Sequence, residues 1–180
     1  MQIKSGKLGT KLITPPIYAD DRGFFTELFN AQNLKQMGID FDVKQVNYSK
    51  SHYGVLRGLH FQRQKPQAKI VQVLVGKIYD VCVDINPKSP TFGQYEAFVL
   101  SSEKRTQLLV PKGLAHGFCV LSKTCCVQYL CDEFFMPNLN AGIKWDDPFL
   151  AIKWPLNQPK LSKQDQNWLF LQDLNTAILL

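Results

Sequence analysis

The stretch GVLRGLHFQ, residues 54–62, sets Arg57 three residues before His60 inside a run that otherwise reads as a β-strand. An imidazole can take and return protons near neutrality, and a guanidinium beside it can hold an anion through paired hydrogen bonds. The chain has only three histidines, so each can be weighed. His116 follows the turn residues PKGLA and opens another apolar strand, whereas His52 lies in the polar stretch SKSHYG and reads as solvated. The five cysteines are odd in number, form no CxxC pair and include the adjacent Cys125 and Cys126. They read as reduced, mostly buried thiols of a cytoplasmic protein rather than a disulfide frame or a zinc site.

Strands must position these groups. KIVQVLV (69–75) and KIYDVCVDI (77–85) are rich in β-branched and aromatic residues and read as a hairpin around Gly76. Further strands are expected over 95–100, 106–110, 117–121 and 125–131, with turn signals such as NPKSPTFG and VPKG between them. This spacing indicates an all-β sandwich or barrel. Helix signals lie at the margins. Asn30 caps a short helix that Gly38 ends, and LSKQDQNWLFLQDL (161–174) begins at a Ser162 cap.

At 180 residues and 45% hydrophobic composition the chain can bury one core, which predicts a single domain over 1–180. The opening MQIKSGKLGTKL lacks the apolar centre of an export signal, and the most apolar stretch is broken by Gln72, Lys77 and Asp80. A net charge of +6 suggests an anionic partner. Lys and Arg are scattered without a basic block, so a small polyanion such as a nucleotide fits as well as nucleic acid does.

PKGLAHGF fits the PxGxxH pattern of the second cupin motif. Cupins usually bind a metal through HxH, a downstream Glu and this second-motif His. Here the first motif reads His60-Phe61-Gln62, and Lys69 falls near the place of the anionic ligand. One histidine is missing and a lysine repels a divalent cation, so the expected metal set is none.

Over nearly its whole length the chain resembles the dTDP-4-dehydrorhamnose 3,5-epimerase family, whose fold is a cupin-type jelly-roll β-sandwich. The resemblance rests on ordered motifs: DRGFFTELF (21–29), QVNYSKSHYGVLRGLHFQ (45–62), AKIVQVLVGKIYDVCVDI (68–85), SPTFG (89–93), VPKGLAHGF (110–118), WDDP (145–148), WP (154–155) and LSKQDQ (161–166). It implies inversion at C3 and C5 of a 4-keto-6-deoxyhexose linked to a nucleoside diphosphate, with no cofactor. His60 would be the base, Asp165 its orienting carboxylate, Lys69 the cation facing the enolate and Tyr129 the acid on the opposite ring face. Arg22 and Arg57 would hold the diphosphate, with Gln45, Asn47, Glu27 and His116 as polar contacts and Phe25 against the thymine. It also implies a homodimer with crossing N-terminal segments, and neither a nucleic-acid nor a membrane partner.

Plainer roles exist for the same residues. Asp165 three residues after Ser162 also suits a capping box, Tyr129 a strand aromatic, Lys69 a solvated strand end, His60 a hydrogen-bonded core histidine, and the two arginines surface ion pairs. The chain departs from the family at Phe134 and Phe135, where many members carry tyrosines, at Asn86 and at Gln164. The rival functions are a single-carbon epimerase or ketoisomerase, a metal-dependent cupin oxygenase and a non-catalytic sugar-nucleotide-binding cupin.

Overall fold

The computed structural model describes residues 1–174. The strands run β1 (Gln2–Ser5), β2 (Lys11–Thr14), β3 (Tyr18–Asp20), β4 (Gly23–Phe25), β5 (Gln45–His52), β6 (Leu56–Gln62), β7 (Lys69–Val75), β8 (Lys77–Asp84), β9 (Tyr95–Ser101), β10 (Gln107–Val110), β11 (Leu114–Val120), β12 (Thr124–Cys131) and β13 (Asn140–Gly142). Helix α1 (Ala31–Gln36) follows β4, and α2 (Lys163–Gln166) follows β13. A six-stranded sheet in the order β1-β2-β10-β7-β12-β5 faces a five-stranded sheet in the order β13-β6-β11-β8-β9. The β3–β4 hairpin stands apart. All strand pairs are antiparallel, and the expected jelly-roll sandwich with short marginal helices is what the chain forms.

Alternation along each strand decides what faces inward. Val71 and Val73 of β7, Ile78 and Cys82 of β8, Leu108 of β10, Phe118 and Val120 of β11 and Val127 of β12 fill the space between the sheets. Ile70, Leu109 and Leu130 point the other way, under Leu34 of α1, Ile39 and Phe41. The outer face of the second sheet is covered by Ile143, Leu150 and Leu171, which pack on Leu59, Val81 and Val83. All five cysteines are free and buried, as expected.

Two expectations need correction. Residues 69–85 are not a hairpin, because β7 pairs with β10 and β12 while β8 pairs with β11 and β9 in the opposite sheet. A single residue, Gly76 at φ +84°, is shorter than the two-residue loop of a tight hairpin and carries the chain across the sandwich instead. The C-terminal helix is only four residues long. Beyond it Leu169 bridges to Ile143, and Leu171 N donates to the buried carboxylate of Asp147 at 2.6 Å, which draws the chain out of the helix.

Arg57 and His60, three residues apart, would face opposite sides of a regular strand. The register shows how they are reconciled: His60 pairs with His116 and Arg57 with Phe118, so three steps on β6 oppose two on β11. This bulge brings both side chains to the inner face. It needs glycine at the crossing, because Gly58 lies at φ +120° and a Cβ there would come 2.5 Å from Gly117 Cα.

Candidate active site

A cleft of about 240 Å³ opens between the two sheets. The alternation that fills the core also lines it. Lys69 shares the face of Val71 and Val73, Tyr129 that of Val127, and Asn47 and Gln45 sit beside Tyr129 and Cys131 in the β5–β12 register. His60, Gln62 and Asn140 close it from the other sheet, and Phe135 stands at its wall.

His60 Nε2 donates to Asp165 Oδ1 at 2.5 Å. Backbone pairing brings α2 beneath β6: Leu56 N donates to Lys160 O, Lys160 N to Gly54 O, and Val55 bridges Lys160. The Ser162 cap is present, its Oγ accepting from Asp165 N at 3.0 Å. Asp165 thus gives its backbone N–H to the cap and sets its carboxylate against His60. Burial pushes that carboxyl up, but hydrogen bonds from His60, Ser162 and Trp168 and the charge on His60 outweigh it and leave the group below its ordinary value.

Burial lowers the Lys69 ammonium, opposed by its attraction to Cys131, Cys82 and Asp80. Burial also raises the Tyr129 phenol, helped by Cys131 and opposed by Arg57. His116 is buried, Nε2 donates to Asp80 Oδ1 at 2.8 Å, and its side chain lines a small cavity beyond Lys69. Gln45 and Asn47 are engaged with their surroundings. Gln45 Nε2 donates to Asn47 Oδ1 at 2.9 Å, Gln45 Oε1 accepts from Phe135 N at 2.8 Å, and Asn47 Nδ2 points at Cys131 Sγ. Arg57 Nε donates to Ser51 Oγ at 3.1 Å.

Of the expected binding residues only Gln45 and Asn47 line this cleft; Arg57 and His116 lie on the inner sheet face near it, and three stand away from it. Arg22 pairs with Asp20 at 2.6 Å with its side chain 87% exposed. Phe25 stacks on Tyr18 at the exposed β3–β4 hairpin, and Glu27 accepts from Asn30 and Asn33 at α1. Among the described residues no three His, Cys, Asp or Glu side chains are grouped to hold a metal ion.

Sequence reasoning missed Asp80, Gln62 and Trp168. Asp80 is the first of two acids in the apolar run KIYDVCVDI, and that position was the available signal, since burial in a central strand demands a partner. Gln62 links the ends of the cleft, donating to Lys65 O and Phe134 O and accepting from Met136 N. Trp168 Nε1 donates to Asp165 Oδ1 at 3.2 Å, a contact between residues three apart.

The sequence model of the dTDP-4-dehydrorhamnose 3,5-epimerase family matches residues 7–173. The chain is 44% identical over 169 residues to the dTDP-4-dehydrorhamnose 3,5-epimerase of Methanothermobacter thermautotrophicus, covering 92% of this chain and 91% of that one. A crystal structure of the dTDP-6-deoxy-D-glucose-3,5-epimerase of Legionella pneumophila with dTDP-4-keto-L-rhamnose superposes with a TM-score of 0.95 at 43% identity, covering 99% and 96% of the two chains. A 3'-monoepimerase from Streptomyces bikiniensis in complex with dTDP-quinovose is similar at a TM-score of 0.88 and 35% identity, covering 93% and 87%.

Proposed function

The chain belongs to the dTDP-4-dehydrorhamnose 3,5-epimerase family, and on that premise we propose how its cleft performs the reaction. The enzyme inverts C3 and C5 of dTDP-4-dehydro-6-deoxy-D-glucose to give dTDP-4-dehydro-L-rhamnose, within dTDP-L-rhamnose biosynthesis. The observation that carries the mechanism is the placement of His60 and Tyr129 on opposing sheets of one cleft, with Lys69 beside them.

With Nε2–H donated to Asp165, the lone pair of His60 falls on Nδ1. Nδ1 takes the proton from C3 or C5, and the C–H electron pair moves into the enolate, leaving the charge on O4. Lys69 offers its ammonium to that oxygen, and burial makes it a stronger donor than a solvated lysine. Tyr129 delivers its proton to the same carbon from the opposite face, which turns exchange into inversion. The phenolate regains a proton as His60 loses its own. Each cycle is redox-neutral, and acid, base and cation all come from side chains, so no cofactor is required.

Arg57, beside Tyr129, serves the diphosphate, and Asn47, Gln45 and His116 serve the sugar. Arg22, Phe25 and Glu27 act across a homodimer in which a neighbouring subunit's N-terminal hairpin reaches this cleft. Exposed Tyr18, Phe24 and Phe25 on that hairpin support this reading. The chain works as one domain in the cytoplasm; no helix among the described residues is long and apolar enough to cross a membrane.

The test is incubation with the 4-keto substrate in deuterated water, followed by NMR. Deuterium at both C3 and C5 with the L-lyxo product is expected. Exchange at one carbon would favour a monoepimerase, a reading that draws on the apolar Phe135 at the cleft wall. Exchange at neither would overturn the assignment. In the same assay His60→Ala should abolish exchange, and Tyr129→Phe should retain it while losing inversion.

A further inference from the structure

We propose that Trp168 is a positioning residue of the His60–Asp165 pair, its indole N–H fixing the carboxylate oxygen that orients the imidazole. The inference rests on the epimerase reading for its catalytic consequence, but its geometry stands alone.

Asp165 Oδ1 accepts from two donors, His60 Nε2 at 2.5 Å and Trp168 Nε1 at 3.2 Å. The indole ring stands edge-on to the imidazole, with centroids 6.2 Å apart and planes 72° apart. Its position is built into the fold. Trp168 lies over Gly142, where a Cβ would come 2.4 Å from the indole Cε2, and Gly142 is the cross-strand partner of His60. The next residue, Leu169, is tied to Ile143.

Asp165 is buried, so donors to its carboxylate are few and each counts. A carboxylate oxygen shared between two N–H groups has less charge to give either one. Trp168 thus keeps the proton from passing on to Asp165 when His60 is charged, and it weakens the hold on the imidazolium so that His60 can return the proton. The other ionisable groups facing His60 are Lys69 on β7 and Tyr129 on β12 across the cleft, His116 and Asp80 on β11 and β8 beside it, and Arg57 on its own strand. None of these donates to Asp165 among the described residues; beside the Ser162 cap, it is Trp168 whose ring N–H reaches the same carboxylate oxygen that holds His60.

Trp168→Phe keeps a ring over Gly142 and removes the N–H. In the full-length variant without substrate, the His60 ¹⁵N titration curve should move to higher pH. With the 4-keto substrate, kcat should fall about 3- to 30-fold at little cost in KM, and its acid limb should move up with the imidazole. A second readout needs no substitution: the Trp168 indole resonance of the unaltered protein, assigned by triple-resonance spectra, should shift with pH through the His60 midpoint. An unmoved midpoint in the variant, or a flat indole resonance in the unaltered protein, would overturn the proposal and leave Trp168 as packing alone. Both NMR readouts are independent of turnover. Failure of the epimerase reading would therefore appear as absent turnover with the coupled titration intact.

Discussion

Lys69 carries a cost for the fold beside the use proposed for it in the reaction. Its ammonium is lowered by burial, so folding disfavours the charged form. The sign follows: the group weakens the fold while it is charged, and the penalty lifts as pH rises through the folded value toward the ordinary one of about 10.4. Lys69→Met should therefore raise Tm at neutral pH, by about 2–4 °C for each kcal/mol relieved in a chain of this size. It should also lose about 10²- to 10³-fold in proton exchange, because the enolate oxygen loses its donor. The unaltered enzyme should show an alkaline limb below the ordinary lysine value. Tyr129 cannot supply that limb, since burial moves its phenol upward. Thermal melts and a pH–rate profile check the pair of effects. A limb that survives in Lys69→Met would remove Lys69 from the role. The residue types of this site were legible from motif order alone, but their partners were not. Asp80, Gln62 and Trp168 act through contacts 36, 72 and 3 positions along the chain, and only the last of these separations could have been met by local reasoning.

At the scale of elements, alternation of period two explains most of the cleft, and the bulge on β6 explains the rest. Without the extra step at Gly58, Arg57 would turn to the outer face while His60 stayed inside. Gly58→Ala confronts both the positive φ and the approach to Gly117, where backbone rather than a flexible side chain stands in the way. The expected cost is about 2–4 kcal/mol. Exchange should fall at least about 100-fold even at temperatures where the variant is folded, because the bulge sets how Arg57 is aimed beside His60. A variant that folds and turns over like the parent would mean that the two side chains are aimed by something else. Alternation could be read from sequence because it repeats. The bulge could not, because the pattern LRGLH is compatible with a regular strand until β11 is known to lie beside it. The same blindness to pairing made β7 and β8 look like a hairpin: both are apolar enough for a central strand, and sequence does not say to which sheet each belongs.

At the scale of the whole molecule, the chain has a divided inventory. The groups proposed for proton transfer converge between its own sheets, while Arg22, Phe25 and Glu27 stand on or after a hairpin outside that cleft. Their motif DRGFFTELF was as legible as any other, yet one chain gives it nothing to act on. The proposed twofold homodimer that exchanges these hairpins would resolve the division, because each site would then draw its base from one chain and its outer contacts from the other. Mixing subunits separates this arrangement from its alternatives. Arg22→Ala and His60→Ala should each be nearly inactive alone. Dissociated together and reassembled in equal amounts, half the dimers are mixed, and each mixed dimer holds one site with both residues intact, restoring about one quarter of full activity. If Arg22 served the cleft of its own chain, every site in the mixture would carry one defect and no activity would return. Light scattering on the same sample fixes whether the species compared are dimers, and a monomer that turns over at full rate would make the exposed hairpin irrelevant to catalysis.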